Sequence, residues 1–278
     1  MLCRNMLCEN CQSMVNSMKQ DIRYFFAQAR YNIKNAYALK HSFLIGVGSM
    51  ILNNCAFFVI WFLFMKATGP INGWSSLDVF GMLGVALVCF GVTHSFFYGI
   101  VDLPKLVIRG TFDSILLSPV SRFVKLAGTS FSATAYGDLL QGFVVIVIYG
   151  FLSHLSVVAW ILFLCALVLG CIVFLSIVLL CSLIAFYIHD GEILSKQMFE
   201  IFLRPGLYPG AIFPSKLKLF FMTVVPTLIT SAVPIDILKS NSVVLGSIAV
   251  VSTAGWFIFS RYMFSRSIRK YESGNLLR

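Results

Sequence analysis

Runs of apolar residues long enough to cross a lipid bilayer are the feature that most limits how this chain can fold. A helix needs about 20 apolar residues to cross a hydrocarbon core about 30 Å thick. Five runs reach that length: residues 43–65, 79–101, 133–152, 157–188 and 243–263. Of the 278 residues, 59% are hydrophobic and 12% are charged, whereas an average soluble domain has about 25% charged residues. We therefore predict an all-α polytopic membrane protein.

A sixth crossing is predicted after the fourth run, where hydropathy and residue chemistry disagree. Hydropathy favours 217–233, but a run of about 17 residues is near the lower limit for a span, and this one contains Pro226 and ends before Pro234. The alternative is a helix over 193–213, followed by an external segment that dips into the membrane. Such a segment is tolerated only where it is buried in protein or lines a cavity.

Basic residues are concentrated at one predicted side of the membrane. The formal charge is +10, from 21 Lys and Arg and 11 Asp and Glu. Six basic residues precede the first apolar run, four lie between the second and third runs, and five lie at the C-terminal end: Arg4, Lys19, Arg23, Arg30, Lys34, Lys40; Lys105, Arg109, Arg122, Lys125; Arg261, Arg266, Arg269, Lys270, Arg278. Positive residues are retained in the cytoplasm, so both termini are predicted there. This pattern gives no support for nucleic-acid binding.

The sequence lacks the motifs of an ATPase and of a metal site. No G-x-x-x-x-G-K-[ST] run occurs, so no P-loop is present. The histidines form no H-E-x-x-H pair. Cys3, Cys8 and Cys11 have ligand-like spacing but no fourth ligand nearby, and the other cysteines lie in apolar runs as small hydrophobic residues. We predict no metal, no cofactor and no catalytic residue in this chain.

The N-terminal region is predicted to remain outside the hydrocarbon core. Residues 1–20 are read as a flexible cytosolic tail and residues 21–40 as an amphipathic helix on the cytoplasmic interface. The apolar residues with helical spacing in that helix are Ile22, Phe25, Phe26, Ala29, Ile33, Ala36 and Tyr37.

Three polar residues lie within or beside the apolar runs. Asn53 and Asn54 are near the middle of the first run, and Asp138 is near the cytoplasmic end of the third. Asp138 either binds substrate or moves a proton, or it sits at the interface paired with a Lys, an Arg or the backbone. The two amides either line the substrate path or form a subunit interface. Five glycines favour close helix packing: Gly46, Gly48, Gly81, Gly84 and Gly91.

The internal loop 102–124 carries the signals of a short helix. Asp102 and Pro104 suit a helix start, and Gly110 suits a helix end. Between them, apolar residues provide one packing face. A short helix in a cytosolic loop is either a contact for a partner protein or an interfacial anchor.

Three stretches of the chain resemble the ABC exporter permeases of the type-2 class. They are LPKLVIRGTFDSILLSPVS, RPGLYPGAIFPSKLKLFFMTVVPTLITSAVPIDIL and SRSIRKYESGN. The resemblance extends over nearly all of the chain from Met18 and is to the small bacterial branch, which has six helices and no fused ATPase domain. Ser118 departs from the basic residue expected before the proline, and residues 1–17 extend beyond the usual start.

This resemblance implies a division of the chain. It implies one six-helix transmembrane domain over 41–264, a connecting helix over 21–40 and a basic cytosolic tail over 265–278. Its fifth helix covers 193–213 and is followed by an external re-entrant helical hairpin over 215–238, with Pro214, Pro226 and Pro234 as its marker residues. The residues implied to couple the loop to an ATPase are Asp102, Pro104, Lys105, Leu106, Arg109, Gly110 and Asp113.

The resemblance also implies partners and a location. The expected assembly contains two copies of a cytosolic ABC ATPase carrying ATP and Mg²⁺, together with a second permease, identical or homologous, in the bacterial inner membrane. The expected function is export of an amphipathic or lipid-like substrate by alternating access. The alternatives are an intramembrane enzyme or lipid-modifying protein, and a secondary carrier.

Overall fold

The computed structural model describes residues 18–35, 40–188 and 191–271. Within these ranges the backbone is helical apart from turns and an isolated bridge between Ile71 and Trp74. The α-helices are α1 (18–35), α2 (Lys40–Thr68), α3 (Ser76–Phe96), α4 (Tyr98–Val101), α5 (Leu103–Ile108), α6 (Asp113–Leu116), α7 (Arg122–Ala127), α8 (Ala135–Leu152), α9 (Val157–Ser182), α10 (Gly191–Leu203), α11 (Ser215–Thr223), α12 (Ala232–Ser240) and α13 (Val243–Ile268). Short 3-10 turns occur at Leu183–Phe186, Arg204–Leu207, Gly210–Ile212 and Pro226–Thr230.

Five helices in the described residues are long and apolar enough to cross a membrane: α2, α3, α8, α9 with its 3-10 continuation, and α13. Serine side chains cap three of them by accepting a backbone N–H, namely Ser75 before α3, Ser156 before α9 and Ser242 before α13. Such caps satisfy donors that the first turn of a helix leaves free. The sequence therefore marks these helix starts chemically as well as by hydropathy.

Helices α3 and α8 pack closely because glycines remove side chains from their interface. A Cβ atom on Gly142 of α8 would lie 2.9 Å from the backbone nitrogen of Val88, and one on Gly91 of α3 would lie 2.7 Å from the backbone of Leu139. Gly81 and Gly84 of α3 also face α8, where they contact the side chains of Tyr149 and Val145. The packing prediction was wrong for Gly48, which has no neighbouring atom within 4 Å of its Cβ position.

One end of the bundle, which we call the basic end, collects α1, α4 to α7 and the C-terminal part of α13. Phe112 of the α5–α6 turn is fully buried, with its ring centroid 5.3 Å from that of Phe186 and 5.0 Å from that of Tyr271. On α1, Phe25 stacks on Phe97 at 5.4 Å. The loop between α3 and α8 is therefore packed against the ends of α9 and α13.

Two helices end where the sequence did not place their ends. Helix α3 stops at Phe96, before the predicted residue 101, and the chain turns at Phe97 into α4. A Cβ atom on Gly99 in this turn would collide with the carbonyl oxygen of Leu126, so α4 lies directly on α7. Helix α13 continues to Ile268, beyond residue 263. The predicted tail residues 1–17 and 272–278, and the end of the predicted amphipathic helix at 36–39, lie outside the described residues.

The region 191–240 is a series of short elements. Helix α10 ends at Leu203, well before residue 213, because Pro205 and Pro209 remove backbone donors and direct the chain into 3-10 turns. The run favoured by hydropathy, 217–233, is also discontinuous, since α11 ends at Thr223 and Pro226 begins another 3-10 turn. Within the described residues, a sixth long helix is absent from this region.

At the opposite end, ion pairs attach this region to the rest of the bundle. Lys239 Nζ lies 2.5 Å from Asp78 Oδ2 of α3 and donates to the carbonyl oxygen of Gly73. Lys218 Nζ lies 2.7 Å from Asp236 Oδ2, which joins α11 to α12. Asn72 Nδ2 donates to the carbonyl oxygen of Ala211 at 2.9 Å.

The Lys239–Asp78 pair is expected to stabilise the fold measurably. Lys239→Met leaves a largely buried carboxylate without its cation, which should cost about 1–3 kcal/mol. Thermal unfolding in detergent should occur at a lower temperature in this variant. Lys196→Met is the matched control, because it removes an exposed pair with Glu192, and exposed pairs contribute about 0–1 kcal/mol. Equal unfolding temperatures for the two variants would contradict the assigned role.

Candidate functional site

A cavity of about 430 Å³ lies among α2, α3, α8, α9 and the turn that follows α10. Its wall is mostly apolar, with rings from Phe57, Phe58, Phe90 and Phe174. The polar side chains that line it are Asn53, Asn54, Asp138 and Thr230. The structure thus brings together all three polar residues that the sequence identified in the apolar runs.

Asn54 and Asp138 form a direct hydrogen bond across two helices. Asn54 Nδ2 of α2 donates to Asp138 Oδ1 of α8 at 2.6 Å. Asp138 is 2% exposed, and its Oδ2 is buried without a hydrogen-bond partner in the described part of the chain. The expectation of a Lys, Arg or backbone partner was wrong, because the first turn of α8 packs against the middle of α2. The free oxygen remains available to a donor inside the cavity.

Two further polar side chains, Asn53 and Gln141, lie near the Asn54–Asp138 hydrogen bond. Asn53 is exposed at the middle of α2, and its side-chain amide forms no hydrogen bond within the described ranges. Gln141 Nε2 is 3.5 Å from Cys55 Sγ, and its Oε1 is buried without a partner among described residues. Sequence reasoning missed Gln141, although it lies three residues after Asp138 and hence on the same helix face.

The predicted coupling residues separate into buried and exposed groups. Pro104 at the start of α5 is buried, and Leu106 is partly buried. Asp102 joins Lys105, with Oδ1 and Nζ 2.9 Å apart, and accepts from Ser130 Oγ at 2.9 Å. The hydrogen bond that Lys105 donates to the Asp102 carboxylate raises the pKa of Lys105. These side chains hold the loop in place.

Between Asp102 and Ser118 five residues of the loop are exposed, and we call them the coupling surface: Ile108, Arg109, Thr111, Ser114 and Leu117. Arg109 was predicted, while Ile108 and Leu117 were missed; they are 52% and 86% exposed. Gly110 has φ +67°, a conformation that favours glycine and that turns the chain between α5 and α6. Asp113 begins α6 beside this surface.

Comparison with known proteins identifies the chain at family level. A family model described as ABC-2 family transporter protein matches residues 51–274. The chain belongs to this family. No curated protein and no solved structure matches it. Family membership and the apolar helices together make the chain a multi-pass membrane permease of the ABC exporter type.

Prolines in the ABC-2 permease mark the breaks of the region after α10. Pro214 directly precedes α11, Pro226 begins a buried 3-10 turn, and Pro234 lies buried in the first turn of α12. Thr230, at the end of the 3-10 turn, reaches the cavity and donates its hydroxyl to the carbonyl oxygen of Thr227 at 2.7 Å. This region of the ABC-2 permease thus forms one wall of the cavity.

Residue clusters suited to a metal ion are absent from the described parts of the ABC-2 permease. The three cysteines of the N-terminal motif, Cys3, Cys8 and Cys11, lie outside those parts. The cavity chemistry therefore rests on one carboxylate, side-chain amides, a hydroxyl and aromatic rings. Such a lining suits a molecule that is largely apolar and carries a few polar groups.

Proposed function

We propose that this permease exports an amphipathic or lipid-like molecule by alternating access, driven by two copies of a separate cytosolic ABC ATPase. The observation that carries the proposal is the aromatic cavity in which Asn54 orients Asp138. The apolar wall accepts the hydrophobic part of a substrate, and the free Asp138 oxygen accepts a donor from its polar part. ATP and Mg²⁺ would be bound by the ATPase, since this sequence has no P-loop.

The basic end is proposed to face the cytoplasm, with both termini on that side. Basic residues are concentrated in α1, in the loop between α3 and α8 and at the end of α13. The positive-inside rule places such segments in the cytoplasm. In this orientation the coupling surface projects toward a soluble partner, and α1 lies at the cytoplasmic interface.

We assign the fifth crossing to α10 and the 3-10 turns that follow it. Gly191 packs on Ala185 at the basic end, while Ala211 accepts a hydrogen bond from Asn72 at the opposite end. The chain between them therefore joins the two ends. A 3-10 helix rises about 2.0 Å per residue, so these elements reach farther than an α-helix of equal length.

The residues from α11 to α12 fit a re-entrant hairpin. Lys218 and Lys239 lie near its start and its end, and the latter is tied to Asp78 at the opposite end. Between them the chain descends to the middle of α9, where a Cβ atom on Gly170 would lie 2.9 Å from the carbonyl oxygen of Ile229. Non-helical backbone at such depth requires a protein environment, and Leu228 and Ile229 are buried.

A second permease, identical or homologous, is proposed to cover α2. Of the 18-residue apolar stretch of α2, only 6% is buried in the structure, whereas 61% of the corresponding stretch of α3 is buried. Asn53 is exposed halfway along it, and a side-chain amide in the hydrocarbon core seeks a hydrogen-bond partner on another helix. A subunit interface along α2 would supply that partner and would close the cavity from the lipid.

Force from the ATPases would reach the cavity through packed contacts. Phe112 connects the coupling loop to the 3-10 end of α9 through Phe186. Helix α9 in turn contributes Phe174 to the cavity wall. ATP-driven approach of two ATPases would thus move the coupling surfaces and open the interface between the permeases.

The proposal is tested by purifying the permease with its native partner and reconstituting it in liposomes. We expect an ABC ATPase to co-purify and to drive ATP-dependent movement of a fluorescent amphipathic lipid. Asp138→Leu should lower this movement at least about tenfold, the value of one lost charge-assisted hydrogen bond, while the ATPase stays bound. Asp138→Asn keeps the size and shape of the side chain but removes its charge. It therefore shows whether transport requires the carboxylate charge or only a side chain of that volume.

Movement that proceeds without ATP or without an ATPase would replace this proposal with a secondary carrier. A chemical change of the lipid by the permease alone would replace it with an intramembrane enzyme. Either result can be read in the same liposomes.

A further inference from the structure

A second cavity, of about 550 Å³, lies at the basic end between α13 and the loop that joins α6 to α7. Arg122, Arg261 and Arg269 line it, and we call it the arginine groove. The hydroxyl-bearing residues Ser118, Ser121 and Ser265 also border it. It shares no lining residue with the cavity around Asp138.

Arg261 is the best-positioned cation of the arginine groove. Its guanidinium carbon lies 4.2 Å from the centroid of the Phe123 ring, which holds the planar group from one side. Its Nη1 is buried and lacks a hydrogen-bond partner within the described residues. A buried guanidinium N–H without an acceptor is unfavourable, and its planar donors match the oxygens of a phosphate or carboxylate.

The described residues that line the groove include three arginines and no acidic residue. None of the ion pairs formed among described residues involves an arginine. Asp21 of α1 accepts from the backbone N–H of Ser121 at 3.0 Å, so one carboxylate lies beside the groove and offsets part of the charge of its three arginines. Ser265 donates its hydroxyl to the carbonyl oxygen of Arg261 at 3.0 Å. Glu272 lies outside the described residues.

The position of the groove on a membrane helix favours a phospholipid over a soluble phosphate as its ligand. Arg261 lies near the end of α13, and within the preceding turn Phe257 and Ile258 are 44% and 67% exposed on the apolar part of this helix. A ligand with a phosphate at Arg261 and acyl chains along these two residues would contact both the guanidinium and the apolar side chains. A soluble phosphate would use only the first.

We propose that the arginine groove binds the phosphate-bearing headgroup of an anionic phospholipid. Arg261 would donate to the phosphate oxygens from the protein side, and Arg122 and Arg269 from the two rims. Since Arg122 belongs to α7, Arg261 belongs to α13 and Arg269 directly follows α13, the lipid would hold the coupling loop against the end of α13. Basic pockets of this kind at a membrane surface bind anionic headgroups by charge and by hydrogen bonding.

The test measures the lipid retained by the full-length purified permease in detergent, by native mass spectrometry. The probes are phosphatidylglycerol and phosphatidylcholine of equal chain length. We expect wild type to retain phosphatidylglycerol in preference to phosphatidylcholine. Arg261→Gln and Arg269→Gln should each lower this retention about tenfold. The exposed Arg269 serves as the second variant because its replacement leaves the core intact.

Arg266→Gln is the matched control, because it removes the same charge from an exposed position on α13 that does not line the groove. An equal loss of lipid in this variant would overturn the proposal, as would equal retention of the two lipids. Displacement of phosphatidylglycerol by millimolar inorganic phosphate would assign the groove to a soluble anion instead. Lipid binding that occurs only after removal of residues 272–278 would assign it to the tail of this chain and would likewise overturn the proposal.

Discussion

Leu117→Asp, combined with Ile108→Asp, is expected to detach the permease from its ATPase. Both side chains are apolar and project from the coupling surface, which we propose contacts the ATPase. Burying an unpaired carboxylate at such a contact costs several kcal/mol, so retention of the ATPase should fall at least about hundredfold. Affinity purification of the tagged permease at equal expression measures this directly.

The control for this experiment is Ala27→Asp on α1. It introduces one aspartate, against two in the double variant, at an exposed position of the same end, away from the coupling surface. Transport and ATPase retention should both be unchanged. If the double variant still retains the ATPase as Ala27→Asp does, the coupling surface lies elsewhere on the permease.

Gly142→Val is expected to prevent normal folding. The Cβ atom would lie 2.9 Å from the backbone nitrogen of Val88, and backbone cannot yield as a flexible side chain does. Helices α3 and α8 would have to separate, at a cost of about 1–3 kcal/mol or more. Fluorescence-detected size-exclusion chromatography should show aggregated protein in place of a single symmetric peak.

Gly255→Val and Gly246→Val are the matched controls, since neither position has an atom within 4 Å of the added Cβ. Both variants should elute as wild type. A normal elution profile for Gly142→Val would show that α3 and α8 are less closely packed than the glycine contacts indicate.

Much of the helical architecture could be predicted from the sequence. In hydrocarbon the backbone has no water to bond with, so a long apolar run must form a helix, and α2, α3, α8, α9 and α13 all follow from this requirement. The short helix in the loop after α3 was also predictable, because Pro104 and Gly110 act through local geometry. These signals need no information about neighbouring segments.

The remainder depends on contacts between distant segments. The ion pair from Lys239 to Asp78 and the hydrogen bond from Asn72 determine where the region 191–240 lies, and neither is evident in a hydropathy plot. The partner of Asp138 is likewise set by the depth at which α8 meets α2. The outward direction of Ile108 and Leu117 could not be predicted, because α5 and α6 are too short for their apolar residues to define which face is buried.

The sparse burial of α2 has a consequence for how such permeases diverge. Trp61 and Met65 are its buried residues in the structure, and both lie in its last third. The outer face of the preceding turns can therefore change without altering the packing of α3, α8 and α9. Gene duplicates could acquire new pairing preferences through substitutions on this face alone, which would allow a self-pairing permease to give rise to two chains that pair only with each other.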